Sequence, residues 1–406
     1  LYTRIKNLFE IKGYRLFVIC LLLVGIGISM TMPYLSLYHT KELGMSAGAY
    51  GVFIAVSSLS GVIVNTLIAK HSDNGMDRKW LIISAMLSLA LGYASYLVFH
   101  NIFILMIVVT LFNGFGAAAM PQIYAYAQES ANASQSNDKT FALSTLRSLV
   151  ALGFILGPLA GTLVLGVVGY KGLFLGSAVI YLTIASLVFL FLQKRKAIQN
   201  YTGKRKGTNI SLFKSKQIRQ PLIAFVFLFA VNAMNAIITP LFIVNELHGT
   251  YSDVGLVVML SASLEIPMMI FLGALGRRIS NHRLMISGCM IAIIYFIILS
   301  VATHSWHLIA AQLFQAMFVA IVMGNGLSYF ADLLPNSPGQ SSTLYANGST
   351  LGRLVGNLSG GMIADFAGFR HVYWLCLAFV IFSLVILWKT RLRREKEVSS
   401  EFTRSV

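Results

Sequence analysis

Gly51-Val-Phe-Ile-Ala-Val-Ser57 and Gly255-Leu-Val-Val-Met-Leu-Ser261 are two apolar stretches carrying the same glycine and serine 204 residues apart. The echo continues outward from them. Lys79 at the end of a charged turn returns as Arg283, Pro33 as Pro240, Tyr126 as Tyr329, Glu129 as Asp332 and Arg147 as Arg353. A repeat of this length in so apolar a chain indicates two homologous bundles of membrane helices, with a substrate site expected at their interface.

Composition agrees. Hydrophobic residues make up 57% of the chain and charged residues 11%, against about 25% charged in soluble domains. Such a chain cannot cover a water-facing surface. Runs of about twenty apolar residues, enough to cross the hydrocarbon core, predict spans at 15–39, 47–70, 80–99, 102–127, 140–167 and 170–192. A second set follows at 221–245, 252–275, 284–302, 306–333, 341–366 and 369–388. The expected fold is an all-α integral membrane bundle of twelve transmembrane helices in two six-helix pseudo-repeats.

The net charge of +17 invites a nucleic-acid reading, which its distribution rejects. With both termini inside, 26 of the 31 Lys and Arg fall on the cytoplasmic side. Lys41, Lys171 and Arg370 fall outside, and Arg147 and Arg353 lie within spans. This is the positive-inside bias that orients membrane proteins, with anionic lipid heads as the natural contact. Cys20, Cys289 and Cys376 sit in predicted helices without metal-type spacing and read as apolar fillers. No metal or cofactor is expected. Arg4, Lys6, Lys12 and Arg15 before a long apolar run resemble a signal sequence, but no small-residue cleavage site follows, so the segment reads as the first span.

The predicted organisation is a six-helix bundle over 1–192, a basic cytoplasmic linker over 193–220, a second bundle over 221–388 and a basic cytoplasmic tail over 389–406. The linker holds nine Lys and Arg among Gly, Asn and Thr, a soluble and partly mobile composition. The tail is similar. Gly153, Gly157, Pro158 and Gly161 in the fifth span, and Gly352, Gly356 and Gly360 in the eleventh, line single helical faces where backbones can approach. Pro158 adds a flexing point.

Between the second and third spans, Asp73-Asn-Gly-Met-Asp77-Arg78-Lys79 resembles the cytoplasmic signature of major facilitator transporters, in which an acid and a basic pair bridge helix ends. The match is partial: Ala69 and Met76 replace glycines, and Arg277 stands in the second copy where Asp73 stands in the first. The resemblance implies that Asp73, Asp77, Arg78 and Lys79 form a gating cluster, made in one conformation and released in another. The glycine–proline pattern of the fifth span resembles that of the exporter branch and favours efflux.

Longer strings resemble the sugar efflux transporter (Set-type) family of the major facilitator superfamily. They are Met120-Pro-Gln-Ile-Tyr-Ala-Tyr-Ala-Gln-Glu129, Ser144-Thr-Leu-Arg147-Ser148, Leu264-Glu265-Ile-Pro267-Met-Met269, and Thr343-Leu-Tyr345-Ala-Asn347 with Arg353. Gln128 departs from that family's basic residue. The resemblance covers both halves and implies a proton-driven exporter of sugars or glycosides, a monomer in the bacterial inner membrane.

Glu265 stands near the middle of an apolar span. A charged carboxylate there costs about 3 kcal/mol on insertion scales, and a carboxyl that exchanges its proton as access alternates is the simplest coupling device. Arg147 and Arg353 either bind sugar hydroxyls in the cavity or snorkel to the cytoplasmic interface. Sugar binding needs paired donors and acceptors with an aromatic face. The candidates are Gln122, Tyr124, Asn232, Asn235, Asn325 and Asn347, with Tyr34 as a stacking platform. Most fall in the first, fourth, seventh and tenth spans, which line the cavity in the superfamily.

The expected function is proton/sugar antiport by alternating access. Multidrug efflux is the alternative, favoured by 27 Phe and 16 Met and opposed by the span amides. An intramembrane enzyme lacks a catalytic constellation within the spans. A non-transporting sugar sensor lacks an output domain.

Overall fold

The computed structural model describes residues 8, 13–72, 77–133, 139–193, 215–275, 279–334 and 338–404, nearly all of them helical. In order they form α1 (Tyr14–Leu37), α2 (Ala47–Ser72), α3 (Arg78–Val98) and α4 (Ile102–Gly116 with Ala119–Ala133). A long helix, Lys139–Phe191, is divided by the extended, positive-φ backbone of Gly169 into α5 (139–168) and α6 (170–191). Then come α7 (Lys216–Asn245), α8 (Tyr251–Leu275) and α9 (Asn281–Val301). The last three are α10 (Ser305–Val319 and Asn325–Leu333, joined by a π-helical turn Ala320–Gly324), α11 (Pro338–Ala367) and α12 (Phe369–Arg404). A second π turn, Tyr38–Glu42, prolongs α1.

Among the described residues, ten stretches are long and apolar enough to cross a membrane. One of them is the α5–α6 pair, which the bend at Gly169 makes two crossings. α11 is equally long but rich in Gly, Ser, Thr and Asn, and completes the twelve. Many large apolar side chains lie exposed on these helices, Phe103, Leu111, Leu163, Leu190 and Phe366 among them. A face of that kind is a lipid face. α12 runs past Lys389 to Arg404, so the predicted basic tail continues the last span as helix. Residues 391–404 contain neither Gly nor Pro and are rich in Arg, Glu and Lys, which favour helix.

The chain divides into two compact units: Leu1–Gly44 with Phe53–Gly203, and Met45–Val52 with Lys204–Val406. In the first, α1 lies on α5. A Cβ on Gly153 would sit 2.7 Å from the Gly25 backbone, so the two chains touch directly. Ser29 ties them, its Oγ donating to the Gly153 carbonyl at 2.9 Å. In the second unit α7 lies on α11 in the same manner, with Gly356 against Ala230. Gly153→Ala should force α1 from α5 and cost about 1–3 kcal/mol, read as a lower unfolding temperature in detergent. Gly166→Ala, with nothing within 4 Å, is the control that should not lower it.

The repeat extends to backbone conformation. Gly44 (φ 66°) and His248 (φ 53°), also 204 apart, occupy the left-handed region after α1 and α7. Gly169 and Gly368 do so before α6 and α12. Each unit also buries a polar knot. Thr31 and Tyr93 share a hydrogen bond of 2.9 Å, with Tyr181 stacked on Tyr93. In the second unit Thr239 donates to Asn235 Oδ1 at 2.9 Å and lies 3.1 Å from the Tyr373 hydroxyl, while Tyr295 donates to the same Asn235 oxygen at 3.2 Å. The knots join α1, α3 and α6 in one unit and α7, α9 and α12 in the other.

α4 breaks between Gly116 and Ala119 for a local reason. Pro121 has no N–H for the Ala117 carbonyl, and Asn65 Nδ2 on α2 donates to that oxygen instead, at 3.1 Å.

Candidate functional site

The basic pair after Asp77 is held within the first unit. Asp77 caps α3, its Oδ1 accepting the Lys79 amide at 2.9 Å. Arg78 is buried and directs Nε to Glu129 Oε1 at 2.9 Å and Nη1 to Gln122 Oε1 at 2.8 Å, both on α4. Lys79 reaches α6, donating to the Phe189 carbonyl at 2.7 Å above the Phe189 ring. Asp73 and Arg277 lie outside the described residues, as does most of the basic linker. Glu129 as the partner of Arg78 escaped sequence reading, although its seven-residue spacing from Gln122 places both on one helical face. In the second unit His282 occupies the place of Arg78, with its Nδ1 3.3 Å from the Tyr329 hydroxyl, and Asn281 donates to Asp332 at 2.8 Å.

Glu265 is half-buried in α8, and none of the described residues forms a hydrogen bond or ion pair with it. One turn further on, Met269 lies against the π turn of α10: a Cβ on Gly324 would meet its Cγ at 3.5 Å. A π turn widens the helix and frees a carbonyl, and such turns gather at functional sites. Here Tyr345 of α11 donates its hydroxyl to the Met323 carbonyl at 2.7 Å. The following residue pair ends in Asn325, whose Nδ2 is buried without a partner. Tyr345→Phe would orphan the carbonyl and should cost about 1–3 kcal/mol, measured by thermal unfolding; an unchanged midpoint would show that the π turn holds without it.

Two sequence candidates are occupied by packing. Tyr34 was expected as a stacking platform, but it is 0% exposed and its hydroxyl bonds Thr162 and the Pro158 carbonyl. The close approach of α1 to α5 at Gly157 and Gly161 encloses the ring. Asn235, 8% exposed, belongs to the knot with Thr239 and Tyr295. Gln122 gives its oxygen to Arg78. The remaining candidates are open to differing degrees. Tyr124, Asn232 and Asn325 are half-buried, and Arg147, Asn347 and Arg353 are exposed. Tyr124 lies within electrostatic reach of Arg147, and Tyr345 of Arg353. Gln315 on α10, which sequence reading passed over, donates to Asn232 Oδ1 at 3.5 Å.

Twelve long helices in a doubled set, most of them in apolar stretches, mark a multi-pass membrane protein. The model of the Major Facilitator Superfamily matches residues 17–301 and again 221–405. Sugar efflux transporter B of Salmonella typhimurium is 30% identical over 376 residues, 91% of this chain and 94% of that protein. Sugar efflux transporter A of Dickeya chrysanthemi is 29% identical over 380 residues, 92% of this chain and 95% of that protein. The crystal structure of the nucleoside transporter NupG shares the fold, with a TM-score of 0.78 over 93% of this chain and 98% of that one at 13% identity. The chain belongs to the major facilitator superfamily and, within it, to the sugar efflux transporter family; it is a transporter and not an enzyme.

Proposed function

We propose that this protein exports sugars or glycosides in exchange for protons by alternating access. The relatives are sugar efflux transporters, which supports the substrate class. Glu265 carries the proton reading: a half-buried carboxyl within α8 that no described side chain neutralises has a proton as its natural partner. Arg147, Arg353, Tyr124, Asn232, Asn325 and Asn347 supply the polar contacts to substrate. Asp77, Arg78 and Lys79 stabilise one gate conformation. The protein sits as a monomer in the bacterial inner membrane with both termini cytoplasmic, in keeping with the positive-inside distribution.

The test is purified protein in proteoliposomes, with a panel of sugars, glycosides and lipophilic cations read as substrate-driven proton movement and as counterflow of label. Proton movement with sugars alone supports the proposal. Movement with lipophilic cations alone supports multidrug efflux, and counterflow of sugar without proton movement removes the antiport.

A further inference from the structure

Asn232 on α7 and Gln315 on α10 meet amide to amide, Gln315 Nε2 donating to Asn232 Oδ1 at 3.5 Å. Gln315 is 5% exposed, and its Oε1 is buried without a hydrogen-bond partner. Asn232 is half-buried, and its Nδ2 donates to none of the described residues.

The two nearest amides behave otherwise. Gln312, one turn earlier on α10, donates to the Leu308 carbonyl at 2.9 Å and also bonds Tyr295. Asn235, one turn later on α7, is bonded by Thr239 and Tyr295. Of these four neighbouring amides, two are satisfied within the fold and two leave an acceptor and a donor open. Buried acceptors left open are rare, since each carries the full cost of its lost water.

We infer that Gln315 and Asn232 form a hydroxyl-pair site, the open carbonyl accepting from one substrate hydroxyl and the open amide donating to its neighbour. Turning both amides over exchanges which residue holds the donor but leaves the same pair. A vicinal diol offers the matching donor and acceptor on adjacent carbons, and a lipophilic cation offers neither. Gln315 has three side-chain torsions through which its buried oxygen can turn toward Asn232. This assignment rests on the sugar-export reading and makes Gln315 a specificity residue of that site.

Counterflow of a transported sugar in proteoliposomes, competed by its monodeoxy analogues, tests it. The wild-type protein should discriminate against deoxygenation at one or two adjacent positions by about tenfold or more. Gln315→Leu should lose that discrimination at one of them and keep the penalties elsewhere on the ring, a change that mere loosening of the fold would not produce. An unchanged pattern in Gln315→Leu overturns the inference. If that variant does not accumulate, Asn232→Ala at the half-buried position decides in the same way: loss of one deoxy penalty supports the site and an unchanged pattern removes it. A wild-type protein that moves no sugar brings down the sugar-export reading, and this assignment with it.

Discussion

Glu265→Gln should abolish sugar-driven proton movement while exchange of labelled sugar for unlabelled sugar continues. The amide keeps the size and much of the polarity of the carboxyl but cannot ionise. A coupling acid must take up and release a proton during each cycle, whereas exchange needs only the loaded protein to change its access. The variant should also fold at least as well as the parent. None of the described residues loses a bond to Glu265, and an ionised carboxylate in an apolar span costs about 3 kcal/mol. Uphill transport that survives the substitution would place the coupling proton elsewhere.

Glu129→Leu should be the most destabilising change in the first unit, by about 3–5 kcal/mol. Arg78 is buried, and Glu129 and Gln122 accept from it at 2.9 and 2.8 Å. Removing the acid takes a counter-ion from 2.9 Å beside a buried guanidinium, and a buried charge that loses a counter-ion is worse than no charge at all. The double variant Arg78→Met, Glu129→Leu should therefore regain most of the loss. The pair of Arg370 and Glu246 offers a comparison. It has the same geometry at 2.8 Å, but both side chains are 31% exposed, and Arg370 also donates to the carbonyls of Ser300 and Ala302. Glu246→Ala should accordingly cost much less. Thermal unfolding in detergent checks all three, and equal midpoints for Glu129→Leu and Glu246→Ala would refute the burial argument.

These two predictions differ in how early they could be read. Glu265 announces itself in the sequence because one acid interrupts an apolar run, and length and polarity are local properties. Glu129 lies at the polar end of its span, where an acid is unremarkable until α3 brings Arg78 beside it. The basic turn was legible as a cluster, but its expected acid, Asp73, falls outside the described residues, and the observed partners are on α4 and α6.

Twelve crossings in two copies, the transporter class and the small-residue faces of α5 and α11 follow from the sequence by itself. Span length, glycine spacing and a 204-residue echo are properties of one chain read in order. Which polar groups remain open was decided only by the tertiary structure. Asn232 and Asn235 stand one turn apart on α7 with similar sequence surroundings, yet Thr239 and Tyr295 bond the second, while the first meets Gln315 and keeps a free donor. Tyr34 was lost to packing for the same reason. A hydrogen bond is satisfied by whatever the neighbouring helix carries at that depth, and that neighbour is fixed by how the helices cross.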